Sequence, residues 1–315
     1  MAAARQRVRW LAAAGSSDFA VRQFGLHDLF TVARQQSDHS LAALARKIEP
    51  RYAWNDIILP ADSLAALREI CDQASFRPVV YEKWGFGRRM TLGKDLNVLF
   101  SGPSGTGKTM AAEVIANDLG LDIYKIDLSR VVSKYIGETE KNLDVIFSAA
   151  TTANAILFFD EADTLFGKRS QVKDAHDRYA NIEVGYLLQK MEEYDGIAIL
   201  ATNLRTNMDD AFIRRLKFSV EFLFPEEPYR YSIWQMHFPA EAPRSDDIDF
   251  SFLARQFKLA GGNIKNIVVN ASFLAAAAGE IIHMKHLIMA TKREYQKMGR
   301  SCVQTDFAEY YSMVN

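Results

Sequence analysis

Gly102-Pro103-Ser104-Gly105-Thr106-Gly107-Lys108-Thr109 is the stretch on which the fold turns. It follows a short apolar run, Asn97 to Ser101, and precedes a helical pattern, Thr109 to Leu119. Glycine, four residues, then Gly-Lys-Thr is the Walker A pattern, and each part has a physical task. The glycines let the backbone turn so that successive amides aim at phosphate oxygens. A helix that starts after Gly107 presents its positive end to the same phosphates. Lys108 reaches the β- and γ-phosphates, and the Thr109 hydroxyl ligates Mg²⁺. At an average glycine usage of ~7%, an unrelated chain this long would match on the order of once in a hundred times. The strand before the motif and the helix after it argue against accident.

Downstream, Ile156-Leu157-Phe158-Phe159-Asp160-Glu161 matches the Walker B pattern. A strand apolar on both faces delivers two carboxylates to its C-terminal end, the edge at which open parallel sheets bind ligands. Asp160 is the expected holder of Mg²⁺ through water, and Glu161 the expected polariser of the attacking water. Alone, this would read equally well as an acidic strand end or a helix cap. The upstream phosphate loop decides between them. ATP and Mg²⁺ are therefore the expected cofactors, with Pro103, Ser104, Gly105, Thr106, Gly107, Lys108, Thr109 and Met110 as nucleotide contacts.

Around these motifs apolar strands alternate with helical segments. Strands are expected at Ile123 to Ile126, Ala155 to Phe159, Ile197 to Ala201 and Phe218 to Phe222, and helices at Glu138 to Ala150 and Asn181 to Tyr194. Such alternation implies an α/β fold of three layers, a parallel sheet covered on both sides. After Pro225 and Pro228 only helices follow, at about 229–238, 249–258, 263–279 and 284–298. The expected division is an N-terminal helical extension, 1–50, an α/β domain, 51–225, and a smaller helical lid, 226–315. Residues 20–49 read as amphipathic helix, with Leu41, Leu44, Ala45 and Ile48 at helical spacing. Met1 to Ser17 carries Arg5, Arg7 and Arg9 and no acid, a mildly transit-like composition read here as a frayed or linker-like helix.

A chain of 315 residues, 49% apolar and 24% charged, with formal net charge −1, has the totals of an ordinary globular protein. That charge exerts no global pull on nucleic acid or anionic lipid. Cys71 and Cys302 lie far apart without metal-ligand spacing, which fits a reducing, cytoplasmic setting. The apolar stretch Ile267 to Ile282 is too short and too interrupted for a membrane span, and a buried helix is expected there. His283 and His286 are close enough to share a metal but lack an evident third ligand. Phe250, Phe252, Leu253 and Phe257 form a stripe expected in the lid's core.

Over about residues 51–300 the chain resembles the AAA subgroup of the AAA+ ATPases. Trp54-Asn55-Asp56-Ile57 looks like the family's leading segment, so Asp56 and Ile57 are expected beside adenine. Ile199-Leu200-Ala201-Thr202-Asn203 resembles sensor 1, which implies that Asn203 positions the attacking water. Asp209-Asp210-Ala211-Phe212-Ile213-Arg214-Arg215 resembles the end of the second region of homology. Arg215 then falls at the arginine-finger position, reaching the neighbouring subunit's nucleotide, while Arg214 is the alternative. Ser133-Lys134-Tyr135-Ile136-Gly137-Glu138 resembles pore loop 1, where Tyr135, with Ile136 beside it, would grip a threaded polypeptide; a turn packed on the sheet is the plainer reading. Lys168 and Arg169 read as solvated surface or as a second pore loop. Gly261-Gly262-Asn263-Ile264-Lys265 sits where the family has sensor 2, with Gly262 near adenine and ribose. Lys265 reads equally as a cation near the phosphates or as a surface lysine. One departure is Phe218, which stands where many members carry a second arginine.

The resemblance implies ATP hydrolysis in a ring, a hexameric homo-oligomer, that remodels, unfolds or disassembles a protein. An ATP-dependent assembly switch is the alternative. The 46–51 lead-in, the Arg214 to Phe218 run and the Gly261 to Ile267 helix are similar to bacterial ATPases encoded with phage-tail-like contractile injection systems. A nucleic-acid motor is least favoured at this net charge, and no membrane partner is expected.

Overall fold

A computed structural model describes residues 44–90, 93, 95–131, 137–164, 175–203 and 213–314. Its architecture follows from the apolar strands. β4 (Ile156–Asp160) is apolar at every position but its last, and Ile156 to Phe159 are wholly buried. It lies inside a six-stranded sheet of order β1-β3-β4-β5-β2-β6. β2 (Leu96–Ser101), β3 (Ile123–Asp127), β4, β5 (Ile197–Thr202) and β6 (Phe218–Glu221) are parallel. Their carboxyl ends therefore share one edge, with Ser101 beside Thr202 and Asp127 beside Asp160 in register. From β2 the chain crosses over β5 and β4 to reach β3, which opens a crevice at that edge.

Alternate residues of each strand serve opposite faces. On one face Leu67 and Ile70 of α1 (Ala61–Arg77) and Val114 and Ile115 of α2 (Lys108–Leu119) pack on Phe100, Phe158 and Ile199. On the other, Ile146 and Phe147 of α3 (Glu138–Ala153) and Leu187 and Met191 of α4 (Ala175–Glu193) pack on Leu157, Phe159 and Leu200. The three-layer α/β arrangement expected from the alternation is thus present.

β1 (Ala45–Ile48) departs from the expected helix at 20–49; residues 1–43 lie outside the described residues. It runs antiparallel to β3, Ala45 opposite Ile126 and Ile48 opposite Ile123. Apolar residues at 44, 45 and 48 satisfy a helical spacing, but four residues cannot discriminate the two periods. The edge of β3 does: Lys47 reaches Asp122 at 3.2 Å and lies over the Tyr124 ring. Pro50 follows after Glu49.

Beyond Pro225 lie α5 (Glu227–Met236), α6 (Phe250–Gln256), α7 (Gly261–Ala278) and α8 (Met284–Lys297). They enclose a separate core around Trp234, Phe252, Leu253, Phe257, Ile267 and Leu287, with Phe250 half-buried at its margin. Asp249 caps α6, its Oδ1 accepting from the Phe252 N–H at 2.8 Å. Buried Arg230 donates to the Ala254 carbonyl at 2.7 Å and to the Pro225 carbonyl at 2.6 Å, binding the approach to the lid to the lid itself. The expectation that Ile267 to Ile282 is a buried helix needs correction. α7 buries Ile264, Ile267, Val268, Ala271 and Ala275, yet Val269 and Phe273 are exposed, Phe273 at 73%. A mostly apolar composition hid a one-sided helix. No helix of the described residues is long and apolar enough to cross a membrane.

The histidine pair is occupied by carboxylates. His283 Nδ1 lies 3.2 Å from Asp247, and His286 Nε2 lies 3.3 Å from Glu280. Among the described residues no three ligand-type side chains gather as a metal site.

Candidate active site

The crevice at the carboxyl edge is a cavity of about 440 Å³ between the sheet and the lid. That is within the roughly 300–1,000 Å³ of small-molecule sites. Residues Ser104 to Met110, Asp160, Glu161 and Asn203 form one wall, and Gly261, Gly262 and Lys265 part of the other.

The loop after β2 is shaped by what glycine permits. Gly102 has φ +140°, and a Cβ there would lie 2.0 Å from the Phe222 carbonyl oxygen. The loop is thereby pressed against the chain that leaves β6. Gly107 (φ +107°) turns the backbone into α2, leaving the first helical amides toward the cavity. Lys108 is buried, and burial depresses its pKa despite the nearby charges of Asp160 and Asp163. Its ammonium donates to the carbonyls of Gly102 at 2.6 Å and Pro103 at 2.9 Å, and to Asn203 Oδ1 at 3.0 Å. The phosphate-loop lysine and the proposed sensor 1 residue are therefore in direct contact. Pro103, expected as a nucleotide contact, is not part of the cavity wall. Its carbonyl is instead taken by Lys108 and by the Thr106 hydroxyl, at 2.8 Å.

At the end of β4, Asp160 Oδ1 accepts from the Glu161 N–H at 3.0 Å, and Oδ2 meets Lys125 of β3 at 2.6 Å. Glu161 is in the left-handed region at φ +55°, a conformation that costs a non-glycine residue roughly 1–2 kcal/mol. Asp163 was not singled out in the sequence. Its Oδ1 accepts from the Asn203 N–H at 3.3 Å and the Thr202 hydroxyl at 3.4 Å, joining the end of β4 to that of β5. The signal was there, a third acid in Asp160-Glu161-Ala162-Asp163.

Asp56 and Ile57 reach the far end of the cavity from a single 3-10 turn, Trp54–Asp56. Asp56 accepts from the Ala53 N–H at 2.8 Å, and Trp54 Nε1 donates to Asp118 of α2 at 2.8 Å. Across from them, the Gly262 N–H donates to the Gly105 carbonyl at 2.9 Å, so α7 touches the phosphate loop itself. A Cβ on Gly262 would stand 3.2 Å from Gly105 Cα. Lys265 lines the cavity with its ammonium 3.3 Å from the Tyr52 hydroxyl. His237, a residue no sequence pattern marked, also lines it. Burial, and then the charge of Lys265, hold its pKa below the usual histidine range.

Arg215 is not in this cavity; it is exposed, with Nη1 3.8 Å from Glu192 of α4. Arg214 is exposed beside it. Phe218 is half-buried against the core on the α1 face. Tyr135 and Ile136, Lys168 and Arg169, and Asp209 to Phe212 lie outside the described residues.

The residues present fit ATP with Mg²⁺: a glycine-turned loop, a buried lysine, a hydroxyl at Thr109 and a carboxylate at Asp160 converge on one cavity. Residues 98–226 match the family described as ATPase family associated with various cellular activities (AAA). Over those residues fold, site and this match define the class: a P-loop ATPase domain of the AAA+ superfamily, a type of domain that hydrolyses ATP. The chain is similar to the proteasome-activating nucleotidase of Methanopyrus kandleri, 27% identical over 271 residues, 83% of this chain and 61% of that one. It is also similar to the ATP-dependent zinc metalloprotease FtsH 3 of Sphaerobacter thermophilus, 31% identical over 260 residues, 79% and 50% of the two chains. Cell division protein C of Sulfolobus acidocaldarius is 29% identical over 244 residues, 74% and 62% of the two. The chain thus spans 50% to 62% of the length of these curated relatives.

Proposed function

We propose that this chain is an ATP-hydrolysing subunit of a ring, a hexamer, that remodels or unfolds a protein substrate. The observation that carries the reading is a separation. Lys108, Thr109, Asp160, Glu161 and Asn203 line one cavity, while Arg215, the cation assigned to the γ-phosphate, lies outside it and exposed. An arginine that serves such a site from outside must serve a neighbour's.

In this reading residues 51–225 form the ATPase domain and 226–315 the lid. Lys108 leaves its carbonyl partners for the phosphates, Thr109 and Asp160 hold Mg²⁺, Glu161 orients water, and Asn203 keeps it in line. Bound Mg²⁺ would supply charge neutralisation on the phosphate oxygens. Asp56, Ile57 and Gly262 take the base and ribose, and Tyr135 with Ile136 grips the substrate. The similarity to a proteasome-activating nucleotidase supports a protein substrate over nucleic acid. The free cysteines, with the buried Cys71 thiol pushed up to about 12, suit a reducing, cytoplasmic setting. The narrower likeness to ATPases of phage-tail-like particles rests on three short stretches, and the ring reading does not depend on it.

The test is particle mass with and without ATP, using Glu161→Gln to retain nucleotide. A hexamer that forms with ATP is expected, and a monomer under every condition would exclude catalysis by a neighbour's Arg215. Tyr135→Ala is then expected to keep ATP turnover and lose work on a protein substrate.

A further inference from the structure

Lys125 is the only lysine or arginine in the five parallel strands β2 to β6. It stands opposite Phe158 in register, and Asp127 stands opposite Asp160. Residues two apart on a strand share a face, so Lys125 and Asp160 both point to the α2 side. The ammonium closes to 2.6 Å from Asp160 Oδ2, while Oδ1 holds the Glu161 amide at 3.0 Å. Both oxygens of the carboxylate assigned to Mg²⁺ are thus engaged from within the chain. Neither side chain is freely solvated, with 35% and 24% exposure.

We propose that Lys125 is a resident counter-ion of the metal position. It holds Asp160 while no divalent cation is bound and gives it up as Mg²⁺ arrives with nucleotide. The inference rests on the nucleotide-site reading above. Lys125 is a positioning residue, acting through Asp160 and touching none of the reacting atoms. Two effects have the same sign: the hydrated metal and the ammonium compete for the same carboxylate oxygen, and a bound metal lies close to a like charge. Removing Lys125 therefore strengthens metal binding. A lysine that braced Asp160 in the loaded site would have the opposite effect.

The experiment is binding of a fluorescent ADP analogue to the whole chain, titrated with Mg²⁺ and repeated in EDTA. Lys125→Met is expected to lower the half-saturating Mg²⁺ concentration roughly two- to five-fold, the worth of one partly screened ion pair. Binding in EDTA should change by less than about twofold, since the lysine acts on the metal's ligand. Lys125→Arg should keep the wild-type midpoint, and Lys125→Gln should repeat the shift if the methionine variant folds poorly. With Asp160→Asn as background, the Lys125→Met shift should vanish, because the pair is already broken. A midpoint that stays put or rises in both neutral variants overturns the proposal while leaving the nucleotide site standing. Failure of the wild type to bind nucleotide at all overturns both.

Discussion

The two walls of the cavity are built on different terms. The sheet wall is a set of strand ends and one glycine-turned loop, each locked by the parallel register behind it. The lid wall consists of a helix start, Gly261 and Gly262, and scattered side chains such as His237 and Lys265, carried by a separate core. The first wall tolerates almost no change of shape; the second is joined to it at the loop by a backbone hydrogen bond, Gly262 to Gly105. Chemistry should therefore depend on the sheet wall, and affinity on the lid wall.

Glu161→Gln offers the sharpest contrast. Turnover should fall by about 10²–10⁴-fold, the usual worth of a positioned acid–base group, while nucleotide still binds. Rapid-quench assays beside equilibrium binding would show it, and a variant with wild-type turnover would remove Glu161 from the chemistry. Gly102→Ala comes next. A Cβ 2.0 Å from the Phe222 carbonyl cannot be accommodated, and the loss in denaturant melts should be about 3 kcal/mol or more.

On the lid side the effects should be milder and of another kind. Gly262→Val places bulk where even one Cβ stands 3.2 Å from Gly105. Nucleotide affinity should fall roughly tenfold, with the melting midpoint nearly unchanged because the lid core is untouched. Equal loss of stability and affinity would show that the walls are not independent after all. The smallest effect concerns His237, whose folded pKa is depressed. The unfolded chain takes up that proton first, near the ordinary histidine value of about 6.5, so stability falls as pH drops below it and is flat above. His237→Gln should flatten the acid limb of a plot of Tm against pH below about 6.5.

The sheet wall was also the legible one. Walker A and Walker B are local in the chain, and their glycines and carboxylates announce their conformations and charges. Lys125, Asp163 and His237 were not legible as a group, because only the folded register sets Lys125 on Asp160 and Asp163 on Asn203, and only lid packing brings His237 to the cavity. Reading Ala45 to Ile48 as helix failed for a related reason. That strand exists because β3 has an edge to cover, a fact invisible in the four residues themselves. Phe273 shows the converse error, since apolar composition alone does not say which face of a helix meets a core.

The bond between Gly262 and Gly105 has one further consequence. It is a latch at the tip of a lever whose other end is held by Arg230, gripping the carbonyls of Pro225 and Ala254. A swing of the lid about that grip large enough to part the latch strips the Gly105 carbonyl of its donor in the middle of the phosphate loop. The angle of a whole helical domain is thus registered by one peptide unit, at the place where phosphates would be felt.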